Sequence, residues 1–178
     1  MKRIFSCLFF IFMCVSVPMW AFAQSVDKKA ESGTTSMVVN TPEGWSEGSP
    51  DQISSTRIRI FVQPEAENRI EIFKRDLVNT AHAETLFSAF QEQLMANRFS
   101  LTSEEKDKVY DLNNGEKLTA LNRKYEYLHD DIKIVVETVS FVDKQQAYIF
   151  VGYFSPIAGI EGHRDFENMI RSLDIRAE

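Results

Sequence analysis

Beyond Cys14 the chain has no cysteine, and both of its cysteines, Cys7 and Cys14, lie in the first segment. A domain built from the remainder forms no disulfide and offers no thiol nucleophile or thiolate ligand, so its core must hold it together. Basic residues are outnumbered, 20 against 26 acidic ones. That balance opposes a general affinity for phosphate backbones or anionic lipid surfaces, and no nucleic-acid partner is expected. Nucleophile and cofactor motifs are missing too. The sequence has no G-x-S-x-G, S-x-x-K or H-E-x-x-H, no P-loop and no dinucleotide-binding glycine pattern. No cofactor or metal is expected, although convergent catalytic triads need no local motif.

What is present begins at the N-terminus. Lys2 and Arg3 supply a positive start, an almost wholly apolar run follows to Trp20, and Ala21-Phe22-Ala23 gives the small-x-small ending that a signal peptidase accepts. The expectation is an export signal over residues 1–23 with cleavage after Ala23, a mature chain from Gln24, and a periplasmic protein with no stable membrane span. An uncleaved anchor is the competing reading, since the run is near the lower length limit for a span. Neither Cys7 nor Cys14 sits in the small-residue context of lipoprotein processing. Loss of Lys2 and Arg3 leaves 18 basic against 26 acidic residues, a formal −8. The remaining 155 residues suit one core and are too few for two comfortable domains.

Residues 24–35, with one aliphatic side chain and no aromatic, read as a flexible tether. A single α+β domain is expected over 36–178. It opens with Met37-Val38-Val39, then Thr41-Pro42-Glu43-Gly44-Trp45, where a turn delivers Trp45 to the core. Two alternating strands follow at 57–63 and 69–75, with Ile58, Ile60 and Val62 on one side and Arg57 and Arg59 on the other. Residues 80–97 switch to helical spacing: Ala83, Phe87, Phe90 and Leu94 form one stripe, and Asn79 or Thr80 can cap it. Strands at 106–112 and 117–127 flank an Asn-Gly hairpin signal, and strands at 132–142 and 145–154 flank Asp143-Lys144. The last two are apolar on both faces and so belong mid-sheet, covered on each side. A short helix at 163–173 presents Phe166, Met169, Ile170 and Leu173 on one face. The fold class is therefore α+β, an antiparallel sheet with packed helices.

Three features in this order carry a resemblance: the strand running into Thr41-Pro42-Glu43-Gly44-Trp45, the succession of paired strands, amphipathic helix and antiparallel strands, and the closing Phe166-x-x-Met169-Ile170-x-Ser172-Leu173 helix. Together they resemble the PsbP-like superfamily, which includes PsbP of photosystem II, the Mog-type Ran-binding proteins and the exported bacterial DcrB-like proteins, the last being nearest in kind. The resemblance implies an α/β/α sandwich and a non-enzymatic binding or assembly role. It carries over no catalytic residue, and Pro42, Gly44 and Trp45 take a structural part in it.

The candidate chemistry is thin. His129-Asp130-Asp131 is a dense ligand cluster, but its place between two strands is ordinary turn chemistry. Glu161, His163 and Asp165 gather near a helix start, where acidic residues also serve the dipole. His82 and Glu84 are two apart on a helix and point in different directions. The aromatic side chains of the late strands either fill the core or, where a sheet face is left uncovered, form an apolar binding surface. Tyr125, Tyr127, Tyr148, Phe150 and Tyr153 are the candidates for that surface. The expected function is an exported, non-enzymatic binding or assembly accessory protein holding a protein segment or apolar ligand on a sheet face, with an envelope protein as partner. The alternative is a periplasmic hydrolase or metal-dependent enzyme using His129 or His163 with nearby carboxylates.

Overall fold

A computed structural model describes residues 35–49, 53–54, 56–129, 132–156 and 159–177. The export signal and cleavage site, residues 24–34 of the tether, and Asp130 and Asp131 fall outside the described residues.

Nine strands and two helices are described. In chain order they are β1 (Thr35–Val38), β2 (Ser46–Glu47), β3 (Arg57–Gln63), β4 (Asn68–Asp76), α1 (His82–Ala96), β5 (Ser100–Asp111), β6 (Lys117–His129), β7 (Ile132–Asp143), β8 (Gln146–Phe154), α2 (Gly159–Arg171) and β9 (Asp174–Ala177). Seven strands make one antiparallel sheet in the order β2-β3-β4-β8-β7-β6-β5, and β1 pairs with β9 in a separate two-stranded sheet. Both hairpins with short connections, at 112–116 and 144–145, form as the turn residues require. Gly115 adopts φ 87°, a conformation glycine reaches without steric cost.

The apolar pattern sends alternate residues to opposite faces, and each face receives a helix. Under α2 lie Phe61, Ile70, Ile72, Val139, Phe141, Tyr148, Phe150 and Phe154 with Phe166, Met169 and Ile170 of the helix and Leu173 just past its end. Under α1 lie Tyr125, Tyr127, Ile134, Val136, Ala147, Ile149, Val151 and Tyr153 with Ala83, Phe87 and Leu94. All nine residues of β8 are buried, as expected of a central strand apolar on both faces.

Five details depart from the sequence reading. A register shift between Arg57 and Arg59 puts them on opposite faces: Arg59 pairs with Ile72 and Arg57 with Phe73. Ile58 therefore joins the core under α2, while Ile60 sits across from Glu71 on the other face. The strand after α1 begins at Ser100, six residues before the apolar pattern announces it, because twelve residues of β5 are almost entirely exposed and polar. α2 starts at Gly159, earlier than 163. The short β2 and β9 carry too few residues for periodicity to register. At the start of α1, Asn79 does act, but one turn ahead of the helix: its Oδ1 accepts from Ala81 N at 2.9 Å, and the N-cap residue Ala81 makes no side-chain cap bond.

Candidate functional site

The five aromatic candidates are all interior. Tyr125 is 1%, Tyr127 9%, Tyr148 0%, Phe150 0% and Tyr153 4% exposed. They do not share a surface: Tyr148 and Phe150 point under α2, and Tyr125, Tyr127 and Tyr153 under α1. The expectation that these side chains form an accessible binding surface is corrected by this burial. Two helices cover the two faces, so the aromatic rings of the central strands have no water to face. Burial pushes the hydroxyls of Tyr110, Tyr125 and Tyr153 above the ordinary tyrosine value, and that of Tyr148 to about 12. The Tyr148 hydroxyl donates to Gln146 Oε1 at 2.7 Å, and Asn122 Nδ2 donates to the Tyr110 hydroxyl at 2.8 Å.

Pro42, Gly44 and Trp45 form a turn in which Trp45 N donates to Pro42 O at 3.2 Å and Gly44 takes φ 78°. That turn drives the indole into the core under α2, where Nε1 donates to Asp165 Oδ2 at 2.9 Å. Asp165 is thereby committed to holding α2 against the N-terminal segment and is not a partner of His163.

His163 finds a different carboxylate, one that spacing along the chain could not indicate. Glu137 of β7 is 6% exposed, and its Oε1 lies 3.1 Å from His163 Nδ1. A carboxylate only accepts, so Nδ1 carries the proton and Nε2 is left as the other ring nitrogen. Lys124 of β6, the cross-strand neighbour of Glu137, places Nζ 2.5 Å from the same oxygen. On the other side Glu137 is paired with Gly152 of β8, and the ring of Phe154 folds back over that glycine. A Cβ there would meet Phe154 Cζ at 2.4 Å, so glycine is what lets the ring lie beneath the imidazole, tilted 46° to it with centroids 4.3 Å apart. Burial pushes the Glu137 carboxyl up, but the hydrogen bonds from His163 and Lys124 outweigh it and hold the group below the ordinary carboxylate value.

A second buried carboxylate, Glu71 of β4, sits on the opposite face. Its Oε1 is approached by Arg57 Nη1 at 3.4 Å and by Arg69 Nη2.

The remaining candidates do not converge. His82, Glu84 and Glu161 are exposed, and His129 ends β6. Among the described residues no three His, Cys, Asp or Glu side chains form a group able to hold a metal ion. A different surface emerges on the α1 side. Val109 is 51% and Val142 37% exposed, and Thr119, between them on β6, is exposed as well. All three point to the face that carries α1, beyond the helix: Thr119 pairs with Val109, and Val142 with Ala147 of the core under α1. Beside them runs the outer edge of β5, the last strand of the sheet. Isolated β-branched residues in a strand give no sequence signal of exposure, which is why this row was not foreseen.

No family model matches the chain, and no curated protein matches it. Solved structures do. The cyanobacterial PsbP (CyanoP) of Synechocystis sp. PCC 6803 is 11% identical with a TM-score of 0.52, the match covering 86% of this chain and 99% of that one. LpqN, described as involved in cell envelope biogenesis of Mycobacterium tuberculosis, is 11% identical with a TM-score of 0.55, covering 82% and 86%. The fold is PsbP-like. A Bacteroides thetaiotaomicron protein is also similar, at 15% identity and a TM-score of 0.47, where the match covers 80% of this chain but 46% of that one. At such identities the PsbP-like likeness is one of fold, and the chemistry must be argued from this chain's own residues. No helix among the described residues is long and apolar enough to cross a membrane.

Proposed function

We propose that this PsbP-like chain is an exported, non-enzymatic binding or assembly accessory protein of the periplasm, released by cleavage after Ala23. It holds an extended segment of an envelope protein against the corner of the sheet formed by β5, β6 and β7. The observation that supports this reading is the exposed row Val109, Thr119 and Val142 beside the outer edge of β5. Apolar side chains there gain about 25 cal/mol per Å² on leaving water, and an added strand finds backbone partners along the edge. Register shifts at 101/103 and 105/108 break the regular ladder over most of β5. They leave the stretch from Lys108 to Tyr110, with Val109 at its centre, as the straight part that a short segment can join, the Asp111 carbonyl beyond it being taken by Arg171 Nη1. Val109→Asp and Val142→Asp variants that remain folded lose partner crosslinking from a photoreactive residue at 119. A photoreactive residue at the exposed Val78 serves as control. Equal crosslinking from positions 78 and 119, or crosslinking unaffected by both substitutions, overturns the proposal.

The Glu137–His163 pair supports a second reading, a hydrolase in which the buried carboxylate orients His163 as general base toward water. His163→Gln then abolishes hydrolysis of a model ester or phosphoester by the purified protein. No hydrolysis by the unaltered chain, with or without added zinc, sinks this alternative.

A further inference from the structure

The two halves of α2 are held in different ways. From Phe166 onward the helix is anchored by apolar side chains: Phe166, Met169, Ile170 and Leu173 are at most 2% exposed. Its first two turns bury no aliphatic side chain: Ile160 is 85% exposed, and their one ring contact with the core is that of His163 on Phe154. They are tied down by polar bonds, from His163 Nδ1 to Glu137 and from the Trp45 indole to Asp165. The fit beneath them is tight. A Cβ on Gly162 would meet Asn68 Nδ2 at 2.6 Å and Phe154 Cδ1 at 3.0 Å, so the helix approaches β8 closely only because residue 162 has no side chain. What these turns cover is Phe154, 1% exposed, with the carboxylate of Glu137 beside it.

We propose that the first two turns of α2 are an acid-released lid, latched by Glu137 to His163, whose opening uncovers Phe154 and Glu137 while the second half of the helix stays docked. The titratable groups that face Glu137 are His163 from α2 and Lys124 from β6, and its neighbour on β8 is Gly152. Protonation of Glu137 removes the charge that the Lys124 ammonium and the His163 ring N–H address and turns a strong acceptor into a carboxylic acid. Because the folded protein holds this carboxyl below its ordinary value, the latch is fully set above the unfolded carboxylate value. It is lost as pH falls through the lower, folded one. The apolar half carries no titrating anchor, so the opening is local.

Hydrogen exchange read by mass spectrometry, corrected for intrinsic pH effects, tests this on the folded chain. On acidification the amides of 163–169, which donate to the carbonyls of 159–165, lose protection while those of 170–171 and β8 keep theirs, and the ring resonances of Phe154 shift with the same midpoint as the Glu137 carboxyl carbon. Glu137→Gln leaves the 163–169 amides unprotected at pH 7 and abolishes the acid step. Gly162→Ala opens the same turns at pH 7 and returns the Glu137 midpoint toward that of an ordinary carboxylate. Protection of the 163–169 amides that persists through the Glu137 titration overturns the proposal, as does protection lost only together with 170–171 and β8. Should Glu137→Gln not fold, coincidence or separation of the two midpoints in the unaltered protein decides.

Discussion

Trp45, Gly152 and the late-strand tyrosines each show how a single side chain is fixed by what covers it. Trp45 is 7% exposed with its Nε1 bonded to Asp165. Trp45→Phe keeps most of the apolar burial and removes the bond to a charged acceptor, at an expected cost of about 1.5–3 kcal/mol. In a chain starting at Gln24 it is the sole tryptophan. Its emission should be blue-shifted and poorly quenched by iodide, and red-shifted, readily quenched emission refutes that burial. Gly152→Ala forces the Phe154 ring aside and should cost about 1–3 kcal/mol, the usual scale for overpacking, measured by denaturant melting. Tyr148→Ala or Phe150→Ala should cost about 3–5 kcal/mol. A loss below about 1 kcal/mol at either position would show that those rings do not fill the core.

Among the elements, α1 and β5 differ most from what their sequences suggest in isolation. α1 has an acidic first turn with Glu84, no basic residue in its last turn and no side-chain cap. It is held in place by Ala83, Phe87 and Leu94, whose burial outweighs the weak ends. Asn79→Ala, which removes the bond to Ala81 N, should therefore lower stability by only about 0.5–1 kcal/mol. β5 carries charge of both signs along an exposed edge and two register shifts, features that discourage edge-to-edge association. The same shifts confine the proposed docking to the end that carries Val109.

For the whole molecule, the titrating groups bound stability from both sides. Glu137, held below its ordinary value, contributes stability above the unfolded carboxylate value and loses it as pH falls through the folded one. The buried tyrosines act in the opposite sense. Their folded values are raised, so their contribution is complete below the ordinary value of 10.0 and is lost as pH climbs, through about 12 for Tyr148. Melting temperature should therefore be flat across neutral pH and fall on both the acid and the alkaline side. Absorbance of tyrosinate should rise in step with alkaline unfolding. Ionisation of all the tyrosines near 10 in a still folded chain would contradict the burial. At the same scale, truncation before Asp174 deprives β1 of its partner and exposes Met37, which packs against the core under α2. Loss of the partly buried Ile175 with it sets the expected cost at about 2 kcal/mol, readable by thermal melting.

The sequence by itself determined that strands lie at β3, β4, β6, β7 and β8, the helical stripe of Ala83, Phe87 and Leu94, the turns at Gly44 and Gly115, and the closing apolar face of α2. These are local periodicities and turn chemistries, and any chain carrying them is steered to the same elements. It also determined that the late strands would be covered on both sides, because their two faces are equally apolar. Tertiary structure alone decided which carboxylate His163 meets, since Glu137 is 26 residues away and is brought close by the packing of α2 over β7. It likewise decided that Arg57 and Arg59 part company, because one bulged residue reverses the faces of all that precede it. And it decided which apolar residues stay wet. Val109 and Val142 are chemically no different from the valines of the core, and only the reach of α1 across the sheet leaves them uncovered.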